Sequence, residues 1–163
     1  MNKEELMDIN NILLDILYYN YPKYITTCFV KCLLKKGADV NAKFNTATPA
    51  STPLHCASMD NNYELVKLLL ENGADVNINN KYNETPLYCI IAYCRLNDRK
   101  IERKIIKLLI SKGADINAKN GEGITILSKA IQIGRPKPLL NYLRKFGAKG
   151  NLELEREVKN ENI

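Results

Sequence analysis

His55 is the chain's single histidine, and beside it the chain has five cysteines for nucleophilic or metal chemistry. A catalytic histidine needs a nucleophile beside it and a third group to orient its ring. No such set stands around His55, so nothing here points to an enzyme. Cys28 and Cys32 are four apart on one helical pattern, the spacing of a metal pair. Zinc needs four ligands, and one histidine with no Cys-x-x-Cys does not supply them. Gly121 and Gly123 lie in a turn and do not form a phosphate-cradling loop. No cofactor, metal or small-molecule substrate is therefore expected.

Charge is the other chemical handle. The chain carries +6, and residues 151–163 hold four glutamates against Arg156 and Lys159, a net −2 that leaves +8 for the body. Arg99, Lys100, Arg103, Lys104 and Lys107 form one basic cluster; Arg135, Lys137, Arg144 and Lys145 form another. Nucleic acid is one reading of such clusters. No base-stacking aromatics or recognised binding motif accompany them. The plainer reading is a solvated outer face, with an acidic protein partner next.

These residues hang on a repeated device. Gly73-Ala74-Asp75-Val76-Asn77 closes one helix, and Thr85-Pro86-Leu87 opens the next. Gly73 stands where a helix end wants positive φ. Asp75, Asn77, Asn79 and Asn80 suit turns because their short side chains bond nearby backbone. Asn83 tolerates the left-handed conformation that would close the turn. Thr85 reads as an N-cap and Pro86 as the first helical residue. The device recurs as Gly37-Ala38-Asp39-Val40-Asn41 with Thr52-Pro53-Leu54-His55. It recurs again as Gly113-Ala114-Asp115-Ile116-Asn117 with Thr125-Ile126-Leu127, and a truncated Gly147-Ala148-Lys149 closes the series.

Helical periodicity fills the intervals. Helices are expected over Lys3–Tyr19, Lys23–Lys36, Pro53–Asp60, Tyr63–Asn72, Pro86–Cys94, Asp98–Lys112, Ile126–Ile133 and Pro138–Phe146. The first has Leu6, Ile9, Asn10, Leu13, Leu14, Ile16 and Leu17 inside. The second has Ile25, Phe29, Val30, Leu33 and Leu34 buried. Extra residues near Arg95–Arg103 either lengthen a helix at its start or form a longer loop. The loop from Asn41 to Ser51 is longer than its counterparts. The tail 151–163 is a short extra helix or a frayed end.

Composition sets bounds on the rest. With 163 residues, 45% hydrophobic and 26% charged, the chain suits one soluble folded domain. No apolar run spans a membrane, and residues 1–8 do not read as a signal peptide. An odd number of cysteines inside helical patterns fits reduced thiols and a cytoplasmic setting. Abundant Asn, Lys, Ile and Tyr are compatible with the AT-rich coding of a large DNA virus or an intracellular bacterium.

Thr52-Pro53-Leu54-His55-Cys56-Ala57 followed by Leu65 to Asn77 resembles a near-complete ankyrin repeat, and the period matches its 33 residues. The resemblance runs from about Lys31 to Ala148. It departs at Tyr88 and Ser128, which replace the histidine, and at Ile126, which replaces the proline. It implies an all-α solenoid of four stacked helix pairs with hairpin-like loops on one side. Residues 1–37 would be an N-terminal capping pair, 38–73, 74–113 and 114–147 the repeats, and 151–163 a charged tail. Within that frame His55 would hydrogen-bond loop backbone, and Cys56 and Cys89 would pack inside.

The resemblance further implies a non-catalytic monomer that binds another protein. The family's variable positions fall here on Phe44, Thr48, Ser51, Lys81, Tyr82, Glu84, Glu122 and Ile124 at the tips. On the inner helices they fall on Met59, Asp60, Tyr93 and Gln132. Tyr82 and Tyr93 are the expected anchors, at the rim and floor of one groove. A pathogen effector or host-range factor acting on host proteins is the sharper reading. An intracellular scaffold and a nucleic-acid binder using the basic face are the alternatives.

Overall fold

The computed structural model describes residues 3–19, 21–43, 51–94 and 98–150. Among the described residues eight helices form four pairs. They are α1 (Lys3–Tyr18) with α2 (Lys23–Lys35), α3 (Pro53–Met59) with α4 (Tyr63–Glu71), α5 (Pro86–Tyr93) with α6 (Arg99–Ser111), and α7 (Ile126–Gln132) with α8 (Lys137–Lys145). The first members stack as an inner row, α1 on α3, α3 on α5 and α5 on α7. The second members form an outer row, α2 on α4 and α4 on α6. Loop residues 44–50 and tail residues 151–163, including Phe44 and Thr48, lie outside the described residues.

Each outer helix ends the same way. Gly73 takes φ +86°, so its N–H bonds Leu70 O and the next N–H, of Ala74, reaches back to Leu69 O. A side chain at Gly73 would meet nothing within 4 Å, so backbone conformation, and not space, demands glycine. The chain then turns on Asp75, whose carboxylate accepts from Asn77 N at 2.9 Å. The helix starts also follow the spacing. Thr85 Oγ1 accepts from Tyr88 N at 3.2 Å and Thr125 Oγ1 from Ser128 N at 3.3 Å.

A ladder of asparagines joins the units. Asn41 Oδ1 accepts from Asp75 N at 2.9 Å, Asn77 Oδ1 from Asp115 N at 2.9 Å, and Asn117 Oδ1 from Lys149 N at 2.8 Å. Asn77 and Asn117 also donate through Nδ2 to Gly113 O and Gly147 O. In the first unit Asn10 of α1 does this work, accepting from Asp39 N at 2.7 Å. The turn residues thus bond the neighbouring unit as well as their own backbone.

The core runs between the rows. Leu13, Val30, Leu54, Leu69, Leu87, Ile90, Leu109 and Leu127 are buried among many others. Phe29 is a correction: expected inside α2, it is 54% exposed. The buried stripe of α2 is Thr26, Val30 and Leu33, and Phe29 lies to one side of it. The extra residues of the third unit partly resolve as helix. α6 has 13 residues against 9 in α4, with Asp98 as its N-cap accepting from Lys100 and Ile101 N–H. Arg135 is also not on a solvated face: it is ion-paired with Glu102, which α6 buries.

Candidate functional site

The hairpin tips of the third and fourth units are locked together. Gly121 N–H donates to Tyr82 O at 2.8 Å, and Asn83 Nδ2 donates to Lys119 O at 3.2 Å. A Cβ on Gly121 would stand 3.2 Å from that carbonyl, tighter than packing accepts without a shift. Asn80 shapes the third tip from inside. Its Oδ1 accepts from Tyr82 N at 2.8 Å and Glu84 N at 2.9 Å. Asn83 closes the turn at φ +59°.

Between the two tips and the inner helices lies a cleft of about 480 Å³. Tyr82 and Tyr93 both line it, with Lys81, Glu84, Glu122 and Lys129. Tyr82 is 44% exposed, and Lys81 Nζ sits over its ring, 4.9 Å from the centroid. Tyr93, the last residue of α5, is half-buried.

Glu84 does not project as expected; it is only 3% exposed. Its carboxylate accepts from Tyr93 Oη–H at 2.7 Å and Asn80 Nδ2 at 2.9 Å, so it turns inward to two donors. Burial raises the Tyr93 phenol above its usual range, and the hydrogen bond to Glu84 and its charge add to this. Tyr88, buried one turn below, is raised by burial first and by the charges of Glu84 and Glu122 after it. The Cys89 thiol is pushed up by burial and by Glu84. These groups stay protonated at neutral pH, and of the three Tyr93 lines the cleft.

The other expected residues scatter. Met59 and Asp60 are half-buried at the end of α3, Ile124 is half-buried before Thr125, and Gln132 is exposed at the end of α7. Ser51 is buried just before α3. Lys129 was not among the expected residues, yet it lines the cleft. It occupies the position, four past the capping threonine, that holds Cys56 and Cys89 in the preceding units. Counting four residues from Thr52, Thr85 and Thr125 is the sequence signal that marks this switch from cysteine to lysine.

His55 does the loop-binding job. Its Nε2 lies 3.0 Å from Glu84 O and its Nδ1 2.8 Å from Thr52 Oγ1. The carbonyl can only accept, so Nε2 carries the proton and Nδ1 accepts from the threonine hydroxyl. Burial holds its pKa down at about 4, against a smaller upward pull from the Glu84 carbonyl bond; nearby Lys43 lowers it further. Cys56 and Cys89 are buried, and burial raises the Cys56 thiol, with Asp60 adding. Among the described residues no three His, Cys, Asp or Glu side chains gather as a metal site. Among them, too, no helix is long and apolar enough to cross a membrane.

Known proteins repeat this architecture. A family model described as ankyrin repeats, in three copies, matches residues 23–120. A putative ankyrin repeat protein of fowlpox virus is 31% identical over 151 residues, 93% of this chain and 41% of its own length. An ankyrin repeat protein of vaccinia virus is 52% identical over 42 residues, 26% of this chain and 8% of its own. An E3 ubiquitin-protein ligase of Arabidopsis thaliana is 43% identical over 63 residues, 39% of this chain and 4% of its own. The chain thus spans less than half the length of each of these relatives. The family model covers more than half of the chain, and the chain belongs to the ankyrin-repeat family.

Proposed function

We propose that the chain is a non-catalytic binding module whose cleft between the third and fourth units grips a protein partner. Ankyrin repeats are protein–protein interaction modules, so the class follows from the family. The observation that carries the site is Tyr82, an aromatic side chain left exposed on a tip whose backbone is held at both flanks. A rigid aromatic offers contact area with few rotors to freeze, and the ordering cost of its loop is already met by the fold. Lys81, Glu122 and Lys129 around it give both signs of charge for orientation. The viral relatives favour an effector or host-range role in a host-cell cytoplasm over a scaffold within the producing cell.

The test is affinity capture from host-cell cytosol with the wild-type chain and with Tyr82→Ala. Tyr93→Ala is a poorer control, because it removes a donor from the buried Glu84 and would disturb the fold. Binding lost through Tyr82→Ala, with an unchanged melting temperature, supports the reading. Binding lost instead through Lys104→Ala and Lys107→Ala on the outer face moves the site to the basic surface. Capture of arbitrary DNA that collapses between low and physiological salt would mark nonspecific charge only.

A further inference from the structure

The starts of three outer helices meet around a second recess, of about 570 Å³, which shares no lining residue with the tyrosine-lined cleft. Lys23, Tyr24, Thr27 and Cys28 of α2 make one wall, and Ile101 and Lys104 of α6 make the other. Tyr63 and Glu64, the first residues of α4, lie between them with Asn61 and Asn62. The two asparagines fix its shape. Asn62 Nδ2 donates to Lys23 O and Thr27 Oγ1, both at 3.5 Å, and Asn61 Nδ2 donates to Asp98 O at 3.2 Å. Lys23 Nζ donates to Asn61 O at 3.1 Å. α2 lines the recess with the side turned to α4, so what stands on the other flank of α2 does not alter it.

The recess combines apolar surface with positive charge. Tyr63 and Ile101 are half-buried and pack on the core, whereas Tyr24 is 73% exposed. Lys23, Arg99, Lys100 and Lys104 stand exposed about the helix starts, against Glu64 and Asp98. Asp98 uses its carboxylate to accept from the N–H groups of Lys100 and Ile101. The N-terminal ends of three helix dipoles add to the positive field. Tyr24 and Lys104, far apart in sequence, thus share one recess with an apolar floor and basic walls. An exposed apolar surface rimmed by charge is the pattern of an interaction site.

We propose that this recess docks an acidic segment of a protein partner that carries one large apolar side chain. The apolar side chain seats between Tyr24 and Ile101, over Tyr63. Carboxylates on either side of it meet Lys23 at one wall and Lys104 at the other. The Lys23 ammonium has three N–H donors and gives one to Asn61 O, so two are left for the partner. The segment crosses the helix starts, and Lys107, one turn further along α6, is not part of the recess. Single-stranded nucleic acid fits less well. It stacks successive bases on several aromatic platforms, and here only Tyr24 leaves most of its ring free. Glu64, in the middle of the recess, would also oppose a phosphate. The site uses none of the cleft's residues, so a partner that engages both gains from two linked contacts.

The experiment selects phage-displayed random short peptides on the immobilised full chain at physiological salt. The expected enriched class has Asp or Glu on both sides of Leu, Ile or Phe. Its affinity should fall at least about 10-fold with Tyr24→Ala. Lys104→Glu should cost at least about 10-fold as well, and Lys107→Glu far less. Both changed positions in the recess are exposed, and circular dichroism melts confirm that the variants fold. A bound peptide should also slow alkylation of Cys28, which lines the recess, while Cys32, exposed one turn further on, keeps its rate. Selection that enriches no acidic–apolar class overturns the proposal. So does an acidic class that is indifferent to Tyr24→Ala, or that loses as much through Lys107→Glu as through Lys104→Glu, which would mark diffuse charge. An acidic class lost through Tyr82→Ala instead would belong to the cleft, and oligothymidylate that displaces the peptides through Tyr24 would make the ligand a nucleic acid.

Discussion

Replacing Asn77 with alanine tests whether the units are joined by their turn asparagines. Asn77 makes two bonds into the next unit, accepting from Asp115 N and donating to Gly113 O, both at 2.9 Å. Its side chain is exposed, so its truncation opens no cavity and loses little apolar burial. Each bond contributes about 0.5–1.5 kcal/mol net, which puts the loss at about 1–3 kcal/mol. Asn72→Ala is the matched control. Asn72 is equally exposed, but its Nδ2 reaches only Leu68 O in its own helix, at 2.8 Å. That change should cost about 0.5–1 kcal/mol. Urea melts read both numbers, and weaker coupling between units should also broaden the transition. Hydrogen exchange adds a direction, because amides of α5 to α8 should open faster in Asn77→Ala. Equal losses for the two variants, or an Asn77→Ala melt indistinguishable from wild type, would refute inter-unit bonding as a source of stability.

Other consequences follow from burial. Leu69→Ala and Leu109→Ala, at equivalent fully buried positions, should each lose about 2–5 kcal/mol, and denaturant melts under half a kcal/mol for both would break the packing account. His55 is neutral when folded and has its pKa depressed from 6.5 to about 4. Its contribution is therefore complete above pH 6.5 and is lost as pH falls toward 4, up to about 3 kcal/mol at 1.36 kcal/mol per unit. A His55→Gln chain with the same acid limb in its stability profile would contradict this. All five cysteines should alkylate as free thiols under non-reducing denaturation. In the native state Cys28 and Cys32 should react quickly, with Cys56 and Cys89 protected until unfolding; a native disulfide found by mass would overturn this.

The stack was legible because its signals are local. Gly73, Asn83 and Thr85 each meet a backbone requirement within a few residues, and helix ends fall within a residue or two of the spacing. What was not legible depends on neighbours. Asn77 reads as a turn residue, and only the next unit shows its second role. Glu84 reads as a tip residue; Tyr93, nine positions on, and Asn80 draw it inside. Phe29 stands one helical turn from both Ile25 and Leu33 and reads as core, but it lies beside the buried stripe of Thr26, Val30 and Leu33 and is exposed. Arg135 joins a basic run in the sequence and finds Glu102 only in space. In the cleft, the tyrosines were readable from their places in the repeat, whereas Lys129 needed the units to be aligned.

A partner held in the cleft between the third and fourth units would lie within reach of Tyr82. Photo-crosslinking tests it with a reactive aromatic amino acid placed at Tyr82 in one chain and at Lys107, on the exposed outer face, in another. In host-cell cytosol a discrete crosslinked species is expected through position 82 and none through 107. A partner trapped through 107, with position 82 silent, would contradict it.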